Sequence, residues 1–272
     1  MTVVESPKDL KDRVQSFWDS EPCGFRDLPS PEAYEQQALR RYSSEPHIPV
    51  FAQFATSKGL NVLEVGVGMG ADFLEWLKAG ANATGIDLTS AAVERTRKRC
   101  ELAGYRANVF QADSENLPFA SNTFDIVYSY GVMHHSPDTQ QCIQEAFRVL
   151  KPGGHIKIML YHHPSLTGFM LWLRYGLFRL QSMRATVYHH LESPGTKCFS
   201  QSEIRSLMQG FEQLNMEVAF SPGDLLLHKP SVRFRSPVYR VVWTFYPRRV
   251  VHLLGKKLGL CLLISGVKVV SR

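Results

Sequence analysis

Asn61-Val62-Leu63-Glu64-Val65-Gly66-Val67-Gly68-Met69-Gly70, followed by Ala83-Thr84-Gly85-Ile86-Asp87, decides how this chain folds. Val62, Leu63 and Val65 suit a buried strand. The three alternating glycines then remove side chains where the backbone must turn and meet a ligand. A helix opening after Gly70 presents unpaired N–H groups at its first turn. Asp87, a lone acid closing the next apolar run, is placed to accept from two neighbouring hydroxyls. Together these features are the geometry of nucleoside-cofactor binding at the carboxyl edge of a doubly wound sheet.

Outward from that stretch, strands and helices alternate. Leu60–Val65, Ala83–Ile86, Asn108–Gln111, Phe124–Ser129 and His155–Tyr161 read as strands. Ala71–Ala79, Ser90–Ala103 and Thr139–Leu150 read as helices, and Lys151-Pro152-Gly153-Gly154 as a turn. Short links between alternating elements predict a mostly parallel sheet. Met216–Phe220 and Leu260–Val270 supply a sixth and a seventh strand. The fold class is therefore α/β, a doubly wound, seven-stranded, mostly parallel, Rossmann-like sheet. Residues 1–58 are expected to form a helical lid, with helices at Leu10–Trp18, Glu32–Arg41 and Ile48–Ala55. Residues 59–161 form the core. Residues 162–248 form a cap inserted after the fifth strand, returning one helix (behind a Ser200/Glu203 capping box) and one strand. Residues 249–272 add the final helix and strand. Within the cap, Leu166–Leu180 reads as one long helix. Its stripe of Phe169, Leu173, Leu177 and Leu180 is expected to pack as core, to wall a substrate pocket or to meet a membrane surface.

Apolar content of 44% and charged content of 21% are ordinary for a globular protein. The five cysteines (Cys23, Cys100, Cys142, Cys198, Cys261) are scattered without a C-x-x-C pair, which predicts reduced thiols. The N-terminal residues are polar, without a signal-peptide core, and no apolar run is long enough to span a bilayer, so a cytoplasmic location is expected. The net charge of +6 is unevenly spread: Leu225–Arg272 carries ten Lys or Arg and no acid. Pro164–Leu191 is also acid-free and carries Arg174, Arg179 and Arg184. Such runs form a solvated face or attract an anionic substrate or an acidic membrane surface.

Five motifs occur in a fixed order: Glu64 with Gly66, Gly68, Gly70 and Asp72; Asp87; Gln111–Phe119 ahead of Ser121–Asp125; Tyr128–His135; and Arg148–Gly154. In these the chain resembles the class I S-adenosylmethionine-dependent methyltransferases. The nearest branch is that of the ubiquinone/menaquinone-biosynthesis C-methyltransferases and many small-molecule methyltransferases. The resemblance is strong over residues 60–161. It implies S-adenosylmethionine as cofactor and methyl transfer by in-line displacement. It also implies that Gly66, Gly68 and Gly70 pass along the methionine part, that Glu64 organises their turn, and that Asp72 holds the amino-acid end. Asp87 would take the ribose hydroxyls and Leu88 the adenine face. Asp113 would take the adenine amino group, with the Ser114 backbone beside it. Ser129 and Tyr130 would line the space between sulfonium and substrate.

His134-His135 and His162-His163 fall at the ends of adjacent strands. No carboxylate or cysteine accompanies them at ligand spacing in sequence, so no metal is expected. A neutral imidazole can take a proton near neutral pH, which makes His134, His162 and the neighbouring Tyr161 the catalytic candidates. Trp18, Tyr34, Arg41, Tyr42 and His135 are candidate substrate contacts. The expected partner is a small-molecule or lipid-like methyl acceptor rather than nucleic acid. Peripheral membrane contact is left open, and the oligomeric state is unspecified. Two other readings compete. A nicotinamide-dependent oxidoreductase would use a similar turn, although Ala71 stands where G-x-G-x-x-G has its last glycine. An RNA methyltransferase would use the basic C-terminal region, but the chain has no Asn/Asp-Pro-Pro-Tyr/Phe signature.

Overall fold

The computed structural model describes residues 6–20, 28, 30–227, 244–253 and 256–270. Its seven strands are β1 (Asn61–Val65), β2 (Asn82–Asp87), β3 (Asn108–Gln111), β4 (Phe124–Tyr130), β5 (Leu150–Tyr161), β6 (Phe211–Ala219) and β7 (Cys261–Lys268). They form one sheet in the order β3-β2-β1-β4-β5-β7-β6. β1 to β5 pair in parallel, and β7 runs antiparallel to both β5 and β6. The helices are α1 (Pro7–Ser20), α2 (Pro31–Ser44), α3 (His47–Ala52), α4 (Ala71–Lys78), α5 (Ser90–Leu102) and α6 (Thr139–Val149). The segment between β5 and β6 adds α7 (Leu166–Leu171), α8 (Met183–His190) and α9 (Gln201–Leu207), and Arg248–Leu253 forms a last short helix.

The sheet is buried on both faces, which is why its strands read as apolar runs rather than as alternations. Val62 of β1 packs with Phe73 and Trp76 of α4. Leu63 and Val65, on the other face, pack with Ile143, Ala146 and Val149 of α6. Strand order reverses between β1 and β4, so a crevice opens at their carboxyl ends, where ligands bind in such sheets.

Several boundaries differ from expectation for local reasons. β5 starts at Leu150, which pairs with Phe124, and Lys151–Gly154 then bulges before His155 pairs with Ile126. The expected turn is thus a bulge within the strand. Lys151 Nζ fastens it to Asp125 (2.8 Å), whose other oxygen accepts from the Asn61 amide (2.9 Å). β6 begins at Phe211 because Glu212–Asn215 is an irregular edge that lacks apolar alternation, with Gln213 at φ 52°. The Leu166–Leu180 stretch is helical as far as Arg179 but changes its winding along the way. α7 ends at Leu171, a π-helical turn covers Trp172–Gly176, and a 3₁₀ turn covers Leu177–Arg179. Trp172 Nε1 donates to the Gln181 carbonyl (2.9 Å) and folds the chain back toward α8. The expected core stripe is largely at the surface: Phe169, Leu173, Leu177 and Leu180 are all exposed.

The start of α7 is tied to the residue before β7 by Asp224, which is fully buried. Its Oδ1 accepts from the Thr167 amide and hydroxyl (2.9 and 2.8 Å). Its Oδ2 accepts from Ser221 and from the Leu260 amide (2.7 Å). Cys100, Cys142, Cys198 and Cys261 are buried free thiols, while Cys23 lies outside the described residues. Among the described residues no helix is long and apolar enough to cross a membrane.

Lys157 of β5 is a buried lysine whose Nζ donates to the Ala52 carbonyl and Gln53 Oε1 (both 2.7 Å). Burial lowers its pKa from 10.5 to about 8. Above pH 8 the folded chain releases this proton while the unfolded chain keeps it to about pH 10.4. The unfolded state then binds more protons, and this group's contribution to stability rises with pH through that window. Lys157→Met is expected to lack the rise, so urea melts of the two proteins should converge or cross between pH 8 and 10. A constant offset across that range would contradict the assignment.

Candidate active site

Three bends meet at the carboxyl edge of β1, β2 and β3. In the first, each glycine does different work. Gly66 stands at φ +82°, and a Cβ there would lie 2.2 Å from Val132 Cγ2. Gly68 stands at φ +53° with open space where its Cβ would project, so its bare backbone faces the cleft. Gly70 caps α4 at φ +72°, and its missing side chain admits Thr96 of α5. Gly70 therefore serves helix packing and does not line the cleft.

Asp87 organises the second bend. Its Oδ2 accepts from the Gly68 amide (3.1 Å), and its Oδ1 accepts from the Thr89 amide (3.0 Å) and hydroxyl (2.8 Å). Thr89, not Asp87, caps α5. Burial raises the Asp87 carboxyl above its ordinary range despite these bonds. In the third bend, Asp113 Oδ1 accepts from the Glu115 amide (2.9 Å), and Lys11 Nζ of α1 donates to Asp113 Oδ2 (2.7 Å) and to Glu115. Burial works to lower the Lys11 pKa, and its bonds to the two carboxylates override it and raise the value. An N-terminal helix is thus clasped across the cofactor-side bends.

The floor is a charged network around Asp72 of α4. Arg41 of α2 donates through Nε (3.1 Å) and Nη2 (2.8 Å), and the hydroxyls of Tyr42 (3.0 Å) and Tyr128 (2.8 Å) complete it. Burial works to raise the Asp72 pKa, but Arg41 and the hydroxyls outweigh it and hold the carboxyl low. Glu64 is buried beside it. Burial, then the Asp72 charge, pushes the Glu64 carboxyl far above its ordinary range, and its Oε2 has no partner among the described residues.

The cleft enclosed by these elements has an empty volume of about 1310 Å³, its open mouth included. Glu64, Gly66, Gly68, Asp72, Asp87 and Leu88 line it, as do Asp113, Ser114, Trp18, Arg41, Tyr130 and His135. On its far wall the Tyr130 hydroxyl donates to Glu45 (2.9 Å) and contacts His47 Nε2 (2.6 Å). His135 receives the edge of the Trp18 ring at 5.1 Å. Its Nδ1 lies 2.8 Å from Ser193 Oγ and 3.1 Å from Thr196 Oγ1. Its Nε2 lies 3.5 Å from Glu192 Oε2, which accepts from the Tyr161 hydroxyl (2.6 Å).

Other expected site residues sit elsewhere. Ser129 is buried and spends its hydroxyl on the Val65 carbonyl (2.9 Å), tying β4 to β1. Tyr34 packs with Leu28 and Met69 beneath the Arg99 guanidinium. Tyr42 supports Asp72 from outside the cleft wall. His134 is fully buried and stacked on Tyr161 (3.8 Å between centroids), and neither ring nitrogen has a partner among the described residues. Burial, then His135 and Lys197, depresses its pKa far below the ordinary value. His162 faces the Gly259 carbonyl through Nδ1 (3.2 Å), away from the cleft. Of the two histidine pairs, only His135 reaches the cavity.

The residues missed in sequence are Lys11, Thr89, Glu115 and Glu192. Thr89 stands directly before an expected helix start, a position that favours Thr as a cap. Lys11 and Glu192 carry no local signal. Glu192 brings a carboxylate to the histidine pair, 57 residues away in the chain: His134, His135 and Glu192 offer ligand atoms within 4.8 Å of one another, as do Glu45, His47 and Cys261. In the first of these clusters the Tyr161 hydroxyl donates to Glu192 Oε2.

The chain matches the family described as "Methyltransferase domain" over residues 63–158. It is 37% identical over 122 residues to the phthiotriol/phenolphthiotriol dimycocerosates methyltransferase of Mycobacterium leprae. That match covers 42% of this chain and 44% of the relative, less than half its length. It is 27% identical over 179 residues to the demethylmenaquinone methyltransferase of Tropheryma whipplei, covering 63% of this chain and 74% of that one. In fold it resembles the phosphoethanolamine N-methyltransferase 2 of Haemonchus contortus, solved with phosphomonomethylethanolamine and S-adenosylhomocysteine. The TM-score is 0.58 at 18% identity, over 98% of this chain and 61% of that one. The cleft suits an adenosyl cofactor on its own geometry: a side-chain-free passage at Gly68, a carboxylate at the end of β2, and a buried, unpartnered carboxyl oxygen on Glu64. The oxidoreductase alternative falls away with these matches. The sheet order, the three bends and these matches make the chain similar, over residues 63–158, to the class I S-adenosylmethionine-dependent methyltransferases.

Proposed function

We propose that the protein transfers the methyl group of S-adenosylmethionine to a small-molecule or lipid-like acceptor entering the cleft beside His135 and Trp18. When bound, the cofactor supplies a methyl group on a sulfonium, open to in-line attack. The acceptor's oxygen, nitrogen or carbon forms the new bond to that methyl as the sulfonium carbon–sulfur bond breaks, leaving S-adenosylhomocysteine. Gly66 and Gly68 give passage to the methionine part, Asp87 accepts from the ribose hydroxyls, and Asp113 and Ser114 border the adenine. Arg41 and Asp72 hold the floor. The observation that carries this reading is the continuity of one cleft from Asp87 and Asp113 to the wall of Trp18, Tyr130 and His135. The relatives, named for demethylmenaquinone and phthiotriol dimycocerosates, support a small-molecule acceptor.

His135 positions the acceptor: among His134, His135, Tyr161 and His162 it alone lines the cleft, and Ser193 and Thr196 fix its ring through Nδ1. Its Nε2 is buried and faces Glu192, so the acceptor's proton leaves to water through the open mouth of the cleft. His135→Gln is expected to lower turnover by about a hundredfold through misplacement of the acceptor while leaving S-adenosylmethionine affinity nearly unchanged. Undiminished turnover would remove His135 from the mechanism. The acceptor class is tested by incubating the protein with methyl-labelled S-adenosylmethionine and cell extract. Label is expected in the organic-soluble or small-molecule fraction. Label confined to RNA or protein would overturn the proposal.

A further inference from the structure

The two acid-free runs of the sequence come together in the cap. Leu166, at the start of α7, and Tyr246 both pack against the buried cluster of Phe220, Leu225 and Val251. Asp224 binds the Thr167 amide and hydroxyl, and its own carbonyl accepts from the Tyr246 hydroxyl (2.8 Å). The Arg248 guanidinium donates to the Leu226 carbonyl (2.9 Å). One hinge therefore carries both basic runs, and neither brings an acid to it.

What these runs expose is unusual. Phe178 is 91% exposed and Leu180 is 96% exposed, on either side of Arg179 in one tight turn. Leu180 holds a left-handed backbone (φ 53°), a conformation disfavoured for a side chain of this size. Phe245 in the other run is 79% exposed, and Val250 follows beside Arg249. The Arg174 guanidinium lies over the Tyr175 ring at 5.0 Å. Arg184, by contrast, is neutralised by a two-pronged pair with Glu203 (both 2.6 Å). Large apolar tips flanked by cations, with no compensating acid in either run, match the interfacial layer of a membrane. There the acyl boundary takes the rings and aliphatic tips while the headgroups take the guanidinium and ammonium groups.

We propose that this face of the cap docks the protein on an anionic lipid surface, with Phe178 and Leu180 inserted and Arg179, Arg249 and Lys257 against the headgroups. The turn follows α7, the first helix after the carboxyl end of β5 at Tyr161. From it α8 leads directly to Glu192, Ser193 and Thr196, which hold His135 at the cleft. The Phe178–Leu180 turn and the acceptor end of the cleft are thus joined through α8. The inference does not depend on which acceptor is methylated.

The test is cosedimentation of the full chain with phosphatidylcholine vesicles, with and without phosphatidylglycerol, at low and high salt. Sedimentation is expected only with the anionic vesicles and is expected to fall as salt rises. The double variant Phe178→Ser/Leu180→Ser should lose binding by tenfold or more. Arg179→Gln/Arg249→Gln should lose it by about the same factor, at roughly one headgroup interaction per cation. These side chains are exposed and outside the cleft, so melting temperature and S-adenosylmethionine affinity should not move. No sedimentation with anionic vesicles, or sedimentation unchanged in both variants, would overturn the proposal. So would salt-sensitive retention by RNA in place of vesicles. Calorimetry with S-adenosylmethionine on the same preparations separates a failure of docking from a failure of the methyltransferase reading.

Discussion

Asp87→Ala is expected to weaken S-adenosylmethionine binding by a hundredfold or more. In the proposed complex the Asp87 carboxylate accepts from two ribose hydroxyls, each bond contributing roughly 1.5–3 kcal/mol. Losing both costs on the order of 3–6 kcal/mol, and every 1.4 kcal/mol or so is tenfold in affinity. A second effect acts in the same direction. The same carboxylate fixes the Gly68 amide and both polar groups of Thr89, so its loss also loosens the glycine bend and the start of α5. Asp87→Asn keeps one acceptor oxygen and should fall between the two. Calorimetric titration measures this directly, with a thermal melt to establish that the variant is folded. Affinity within a few-fold of the unmodified protein would remove Asp87 from the cofactor site.

Arg41→Ala carries the largest expected loss of stability. Asp72 is only 4% exposed, and two of its four hydrogen bonds come from Arg41. Without the guanidinium, a buried carboxylate remains with two tyrosine hydroxyls and no opposite charge beside it. Stranding one partner of a buried pair costs about 3–5 kcal/mol. For a chain of this size that corresponds to a fall in Tm of about 10 °C. The pH dependence has a definite sign. The folded pKa of Asp72 is held below its unfolded value, so the pair's contribution is present above the unfolded carboxylate range, near pH 4. It is lost as pH falls through the lower folded value. The gap between wild type and Arg41→Ala should therefore be full at neutral pH and narrow on acidification, beginning above pH 4 as the stranded carboxyl of the variant takes up its proton and continuing below it. Asp72→Asn in the Arg41→Ala background removes the stranded charge and should recover part of the loss. Denaturant midpoints for the three variants check this. A gap independent of pH would show that Arg41 acts through packing alone.

The parts of the fold legible in sequence are those with local causes. Leu63 and Val65 against Val62 mark a strand buried on both faces. Gly66 and Gly68 mark a backbone that must turn with φ positive and no Cβ. Ser200 and Glu203 form the capping box expected before α9. Local signals failed where distant contacts decide the outcome. The aromatic stretch after Leu166 has helical periodicity, but Gly176 lets Thr186 of α8 approach so closely that a Cβ would lie 2.4 Å from its hydroxyl. The winding changes to a π turn and then a 3₁₀ turn, and the helix ends at the left-handed Leu180, where Trp172 bonds the Gln181 carbonyl. At the site, residues on strand ends were legible because the sheet dictates where they point. Lys11 and Glu192 were not. They reach the cleft from segments 102 residues from Asp113 and 57 from His135, and nothing local marks such a meeting. Ser129 shows the converse error. Its position after Tyr128 points to a ligand, yet a strand residue with a short hydroxyl can as readily tie itself to the adjacent strand, here at Val65.

The most direct measurement is a crystal structure of the full chain soaked with S-adenosylhomocysteine. The account predicts one molecule in the cleft, its ribose hydroxyls on the Asp87 carboxylate and its adenine between Leu88 and Ser114. Its sulfur should point toward the wall formed by Tyr130 and His135. Density for the nucleoside elsewhere, or an Asp87 carboxylate that still faces only Gly68 and Thr89 with the ligand bound, would contradict it.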